Sequence, residues 1–77
     1  MLSALQNSDD IRLLTPVALI GDLKEFNLRR GEMGTVVEEL DGAFLVEFSD
    51  KNGEAYAIVP VRADQLLPLH RGGLTAA

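Results

Sequence analysis

The chain is 77 residues long, 47% apolar and 25% charged, with seven Lys and Arg against twelve Asp and Glu for a net charge of −5. A chain this short is one small domain with a modest margin, because it buries only about 60–65% of its unfolded surface. It has no cysteine, hence no disulfide framework, thiol nucleophile, zinc knuckle or iron–sulfur site. Its excess of acid works against non-specific nucleic-acid binding, which needs a positive surface to release counterions. No apolar run approaches the ~18 residues of a membrane span, so a cytoplasmic location is expected.

Residues 1–11 read as a flexible leader. Leu2 and Leu5 are spaced for one helical turn behind Ser3, and one turn does not repay its nucleation cost. Residues 12–70 form the expected domain and 71–77 a flexible tail. Arg12 to Ile20 is β-branched and apolar around Thr15-Pro16-Val17-Ala18-Leu19-Ile20, a first strand in which Pro16 marks an edge or a start. Gly21 to Gly34 reads as an irregular loop held down by Leu23, Phe26, Leu28 and Met33. Thr35–Glu39 is a strand, Asp41-Gly42 a hairpin turn, and Ala43–Phe48 a strand, Asp-Gly being a strong hairpin signal. Asn52-Gly53 turns the chain again into a strand from Glu54 to Val61, ended by Pro60. Arg62-Ala63-Asp64-Gln65 suits one 3₁₀ turn, and Leu66–Leu69 a short last strand.

Register follows from what each face must bury. With Ser49 facing Glu54, Phe48 faces Ala55, Val46 faces Ala57 and Phe44 faces Val59, so large side chains meet small or medium ones. A two-residue loop at the first hairpin drives Glu39 toward the core opposite Phe44. A three-residue loop with left-handed Gly42 instead pairs Val36 with Val46 and Gly34 with Phe48. The second is preferred, since a one-residue slip turns every side chain over, and it gives Gly34 a purpose: room for the Phe48 ring. The fold expected is all-β, a small five-stranded SH3-like barrel with a single 3₁₀ turn before the last strand. An OB-like barrel is the alternative, disfavoured by short strands and the lack of a helix between the third and fourth.

The string Leu28-Arg29-Arg30-Gly31-Glu32-Met33-Gly34-Thr35-Val36-Val37-Glu38, followed by Val46-Glu47-Phe48, Gly53-Glu54-Ala55-Tyr56-Ala57 and Gln65-Leu66-Leu67 with Leu69, resembles the small bacterial proteins grouped as domain of unknown function 4926. The resemblance runs from about Leu13 to Leu69; where members often carry a Pro in the long loop, this chain has Lys24-Glu25. It implies an SH3-like protein without established enzymatic activity, and a gene context that hints at toxin–antitoxin-like pairs. The Gly31-x-x-Gly34-x-Val36 spacing is also similar to wider SH3-like barrels, among them KOW segments and the nitrile hydratase beta chain, most of which act by docking.

Catalytic and ligand chemistry finds no foothold. Glu38 and Glu39 are adjacent on a strand, so they point to opposite faces and share no proton; Glu32, Glu38 and Glu47 lack an imidazole, and His70 is the one histidine. Asp50, Asn52 and Glu54 echo the start of a calcium loop but are explained by turn chemistry. The expectation is a protein that is not an enzyme, with no cofactor, metal or small-molecule substrate. Lys24, Arg29 and Arg30, with Arg62 joining them, form the patch that an RNA- or DNA-binding reading needs. Glu25, Glu32, the net charge and the scarcity of stacking aromatics, three Phe and one Tyr, stand against it.

The most informative residues are apolar ones on the outer side. In the chosen register Val37, Leu45 and Ile58 line up across three strands, with Tyr56 beside them opposite Glu47, where a water-facing sheet normally carries polar residues. Such a row is also tolerated if the leader covers it through Leu2, Leu5 and Ile11, or if a bend of the sheet buries both faces. The expected role is a protein contact, with a partner or a second copy, apolar in the centre and ringed by Glu38, Glu39, Glu47 and Glu54.

Overall fold

The structure, a computed structural model, describes residues 11–69. In chain order these form β1 (Pro16–Leu19), a 3₁₀ turn (Lys24–Phe26), β2 (Met33–Leu40), β3 (Ala43–Ser49), β4 (Ala55–Arg62), a second 3₁₀ turn (Ala63–Gln65) and β5 (Leu66–Pro68). The five strands make one antiparallel sheet in the order β4-β3-β2-β1-β5. The all-β expectation and the 3₁₀ turn before the last strand therefore hold.

The sheet is curled but open. β4 and β5 lie at opposite edges, yet only Ala63–Gln65 separate them in sequence. Four Cα steps span at most about 14 Å, whereas four interstrand spacings of a flat sheet amount to about 19 Å. The short link can be made only if the sheet bends its edges toward each other. Hydrogen bonding nevertheless stops at β4 and at β5, so the ladder does not close into the expected barrel.

The concave side holds the core. Val17 and Leu19 of β1, Val36 of β2, Val46 and Phe48 of β3, Val59 and Val61 of β4 and Leu66 of β5 are all buried, with Phe44 and Ala57 packed against them. Leu23 and Leu28 join this cluster from the β1–β2 loop. Each donates its backbone N–H to the other's carbonyl (2.8 and 3.1 Å), with left-handed Asn27 closing the turn between them. The loop is thus more regular than expected, and two of its expected anchors are not anchors: Phe26 and Met33 are exposed. Ile11, assigned to the leader, is 3% exposed and part of the core; Leu2, Leu5 and the tail lie outside the described residues.

The β2–β3 register carries the expected pairs Gly34↔Phe48 and Val36↔Val46, but by a different device. The loop is two residues, Asp41-Gly42, with Gly42 at φ 82° and Leu40 facing Ala43. The extra residue is a β-bulge at Val37, between the Val36↔Val46 and Glu38↔Leu45 pairs. Glu39 does stand opposite Phe44, yet it stays exposed, and its Oε2 accepts the Leu13 N–H at 3.0 Å. On the other side of β3 the expected pairing is out by two residues: Phe48 faces Ala57, Val46 faces Val59 and Phe44 faces Val61. A second bulge absorbs the difference, between Phe48↔Ala57 and Ser49↔Ala55. An even slip leaves each inward residue inward, so the core survives the error. Pro60 lies within β4 rather than ending it, as an edge strand permits.

Candidate functional site: the outer face of the sheet

Alternation sends Pro16, Thr35, Glu47 and Ile58 outward. They are consecutive cross-strand neighbours, Pro16↔Thr35, Thr35↔Glu47 and Glu47↔Ile58, and make one row over four strands. On one flank Leu67, Ala18 and Met33 form a second row; on the other, Leu45 stands opposite Pro60. Met33 is 62% exposed, Ile58 53%, Tyr56 52% and Leu67 48%. An apolar outer face is therefore present, but its composition differs from the expected row.

Leu45 is half-buried between Glu38 and Pro60, and Val37 is half-buried at the bulge, so neither neighbours Ile58. Glu47 faces Ile58 instead of Tyr56, which falls at the second bulge. Met33, Leu67, Pro16 and Leu69 were missed as surface residues. Met33 was recoverable: once Gly34 is set inward against Phe48, the preceding residue must point out.

An open depression of about 240 Å³ lies on this face. Pro16, Met33 and Leu69 give it apolar walls, Thr35, Glu47 and Ser49 its polar atoms, and Gly34 a stretch of bare backbone. Gly34 is needed there for a second reason. A Cβ on it meets the Glu47 carbonyl oxygen and Val46 Cγ1 at 2.7 Å and Phe48 Cδ1 at 3.0 Å.

Tyr56 borders this face and is held by Glu32, whose Oε1 accepts the phenol O–H at 2.6 Å while its Oε2 accepts the Arg29 N–H at 2.7 Å. The hydrogen bond to Glu32 raises the Tyr56 pKa, with desolvation and the charges of Glu32 and Asp50 adding to it. A phenol whose folded pKa lies above its unfolded value stabilises the fold below the unfolded pKa and loses that contribution as pH climbs through the folded one. Because Tyr56 is the one tyrosine and the chain has no tryptophan, phenolate absorbance reads it alone. Its midpoint is expected above the ordinary tyrosine value of about 10, and Glu32→Ala is expected to bring it back; a midpoint unmoved by that substitution contradicts the contact.

The basic residues are placed differently. Lys24 lies in the first 3₁₀ turn with Glu25, and Arg29 and Arg30 follow in the same loop, all exposed. Acids are interleaved and hold the loop's main chain: Asp22 accepts the backbone N–H of Arg30 at 2.8 Å and Glu32 the backbone N–H of Arg29. Arg62 is ion-paired to Asp64 at 3.1 Å on the link to β5. Of these four cations, Arg62 alone is in an ion pair among the described residues. In the second hairpin, Asp50 Oδ1 accepts the N–H groups of Asn52 (2.8 Å) and Glu54 (3.0 Å), which accounts for the calcium-like spacing as a turn. No cluster of three metal-ligating side chains occurs among the described residues, nor any helix long and apolar enough to cross a membrane.

The residues thus define a small acidic β-protein with a filled inner face and an apolar outer one. The chain belongs to the family described as Domain of unknown function (DUF4926), whose model matches residues 13–68. That span runs from before β1 to the end of β5, so the whole sheet is the family's unit. No curated protein and no solved structure matches the chain significantly.

Proposed function

We propose that the protein is a cytoplasmic, non-catalytic interaction module of SH3-like architecture, which docks a protein through the outer face of β2, β3 and β4. The observation that carries this reading is the row Pro16–Thr35–Glu47–Ile58, flanked by Met33 and Leu67 on one side and by Leu45 and Pro60 on the other. Apolar side chains gathered on the outer side of a sheet, around a polar centre, are the composition of a contact surface. The acidic surroundings favour a basic partner, as in a neutralising member of a toxin–antitoxin-like pair. A second copy of this chain, at −5, fits less well.

Ile58→Lys tests it better than a change at Leu45, because Ile58 is half exposed on an edge strand whereas Leu45 is packed by Pro60. The melting temperature should stay within about 4 °C of wild type, as for an ordinary surface substitution. The amount of the native partner recovered with the tagged protein should fall by about tenfold or more, as for a hot-spot residue. A folded variant that keeps both its assembly size by light scattering and its co-purifying protein contradicts the proposal.

A further inference from the structure

Glu47 is out of place on an apolar surface. It is the central side chain of the outer row, set between Thr35 and Ile58, and half-buried. Its carboxylate has no hydrogen bond or ion pair among the described residues, where the single ion pair is Arg62–Asp64. An unpaired carboxylate in this position has its lone pairs open to an incoming cationic donor. The neighbouring depression supplies the rest of a cation's requirements. Thr35 and Ser49, which carry hydroxyls, line the depression together with Glu47, and Pro16, Met33 and Leu69 add apolar side chains for an aliphatic stem.

We propose that this depression receives an arginine side chain of the docking partner, its guanidinium on the Glu47 carboxylate and its methylenes against Pro16, Met33 and Leu69. The inference rests on the docking reading above and names what the partner presents: a protruding arginine within an apolar surface. Arginine suits the site better than lysine, because its planar fork has five donors to share among a carboxylate and two hydroxyls and it is more weakly hydrated than an ammonium. Charge complementarity between the acidic chain and a basic partner brings the two surfaces together, and the pocket then fixes the register.

The test uses N-acetyl-arginine-amide as probe, with its neutral isostere N-acetyl-citrulline-amide as control, followed by backbone amide NMR shifts of the whole chain. The arginine probe should give saturable shifts concentrated at Met33, Gly34, Thr35, Glu47 and Ser49. Citrulline should bind about tenfold more weakly, the loss expected for one charge-assisted contact. Glu47→Gln should weaken the arginine response by a similar factor and leave the rest of the spectrum in place. Shifts spread over all surface carboxylates, an equal response to citrulline, or an unchanged response in Glu47→Gln overturn the assignment. Ile58→Lys separates the two readings. Where it abolishes partner recovery but the probe does not bind, the arginine pocket alone fails. Where the probe binds at Glu47 and Ile58→Lys leaves partner recovery intact, the docking face fails and the pocket stands as an isolated cation site.

Discussion

Gly34→Ala is expected to destabilise the fold by about 2–3 kcal/mol, as overpacking of a filled core does, and to lower the melting temperature by roughly 10–20 °C for a domain of this size. The conformation is not at issue, since Gly34 is not among the glycines with positive φ. The obstacle is space. Two of the three atoms nearest the new methyl, Val46 Cγ1 and Phe48 Cδ1, belong to buried side chains, and the third is the backbone carbonyl of Glu47, at 2.7 Å. A carbonyl within a ladder cannot rotate aside, so β2 and β3 must part at the sheet's centre. Gly21→Ala is the matched control. Nothing lies within 4 Å of its Cβ position and its φ is not positive, so the gain from a stiffer unfolded chain, up to about 1 kcal/mol, should dominate. Opposite signs for one chemical change, read by thermal and urea melts, identify the close approach as the cause; equal small effects contradict it.

Phe48→Ala should cost about 3–5 kcal/mol. A chain of 77 residues has about 4–12 kcal/mol in total, so the loss takes about a quarter of it or more and the variant is expected to melt far below wild type. Phe48 is fully buried and lies over Gly34 from one strand and Ala57 from the other, two small residues that leave the ring its space. With both cross-strand neighbours small, neither can fill the void. Val59→Ala, at a less completely buried position on the edge strand, removes fewer atoms and should cost distinctly less. Circular dichroism and denaturant melts distinguish the two; equal costs contradict the central place given to Phe48.

The inner face was legible because alternation is robust. Phe44, Val46 and Phe48 point inward whether β4 is set in its true register or two residues away from it. The outer face was less so, because its neighbour relations depend on the absolute register. The two bulges, at Val37 and at Tyr56, moved both residues out of the row expected of them. Neither bulge carries a glycine or other local signal. Asp-Gly announced the first hairpin, but not that its loop is two residues and that the odd residue sits four positions earlier. The Tyr56–Glu32 bond joins residues 24 apart, a relation no local pattern contains. The two hairpin pairings, β2 with β3 and β3 with β4, followed from element order and turn types, whereas the place of β1 between β2 and β5 and the closure of the sheet depend on long-range hydrogen bonds that composition does not encode.

The most direct measurement is photocrosslinking in the native cell, with a benzoylphenylalanine placed at Ile58 on the outer face and, in a second variant, at Glu25 in the exposed loop turn. The docking account predicts one discrete, reproducible adduct from position 58 that disappears when Glu47 is also changed to Lys, and no such adduct from position 25. No adduct from position 58, or the same adduct from both positions, contradicts it.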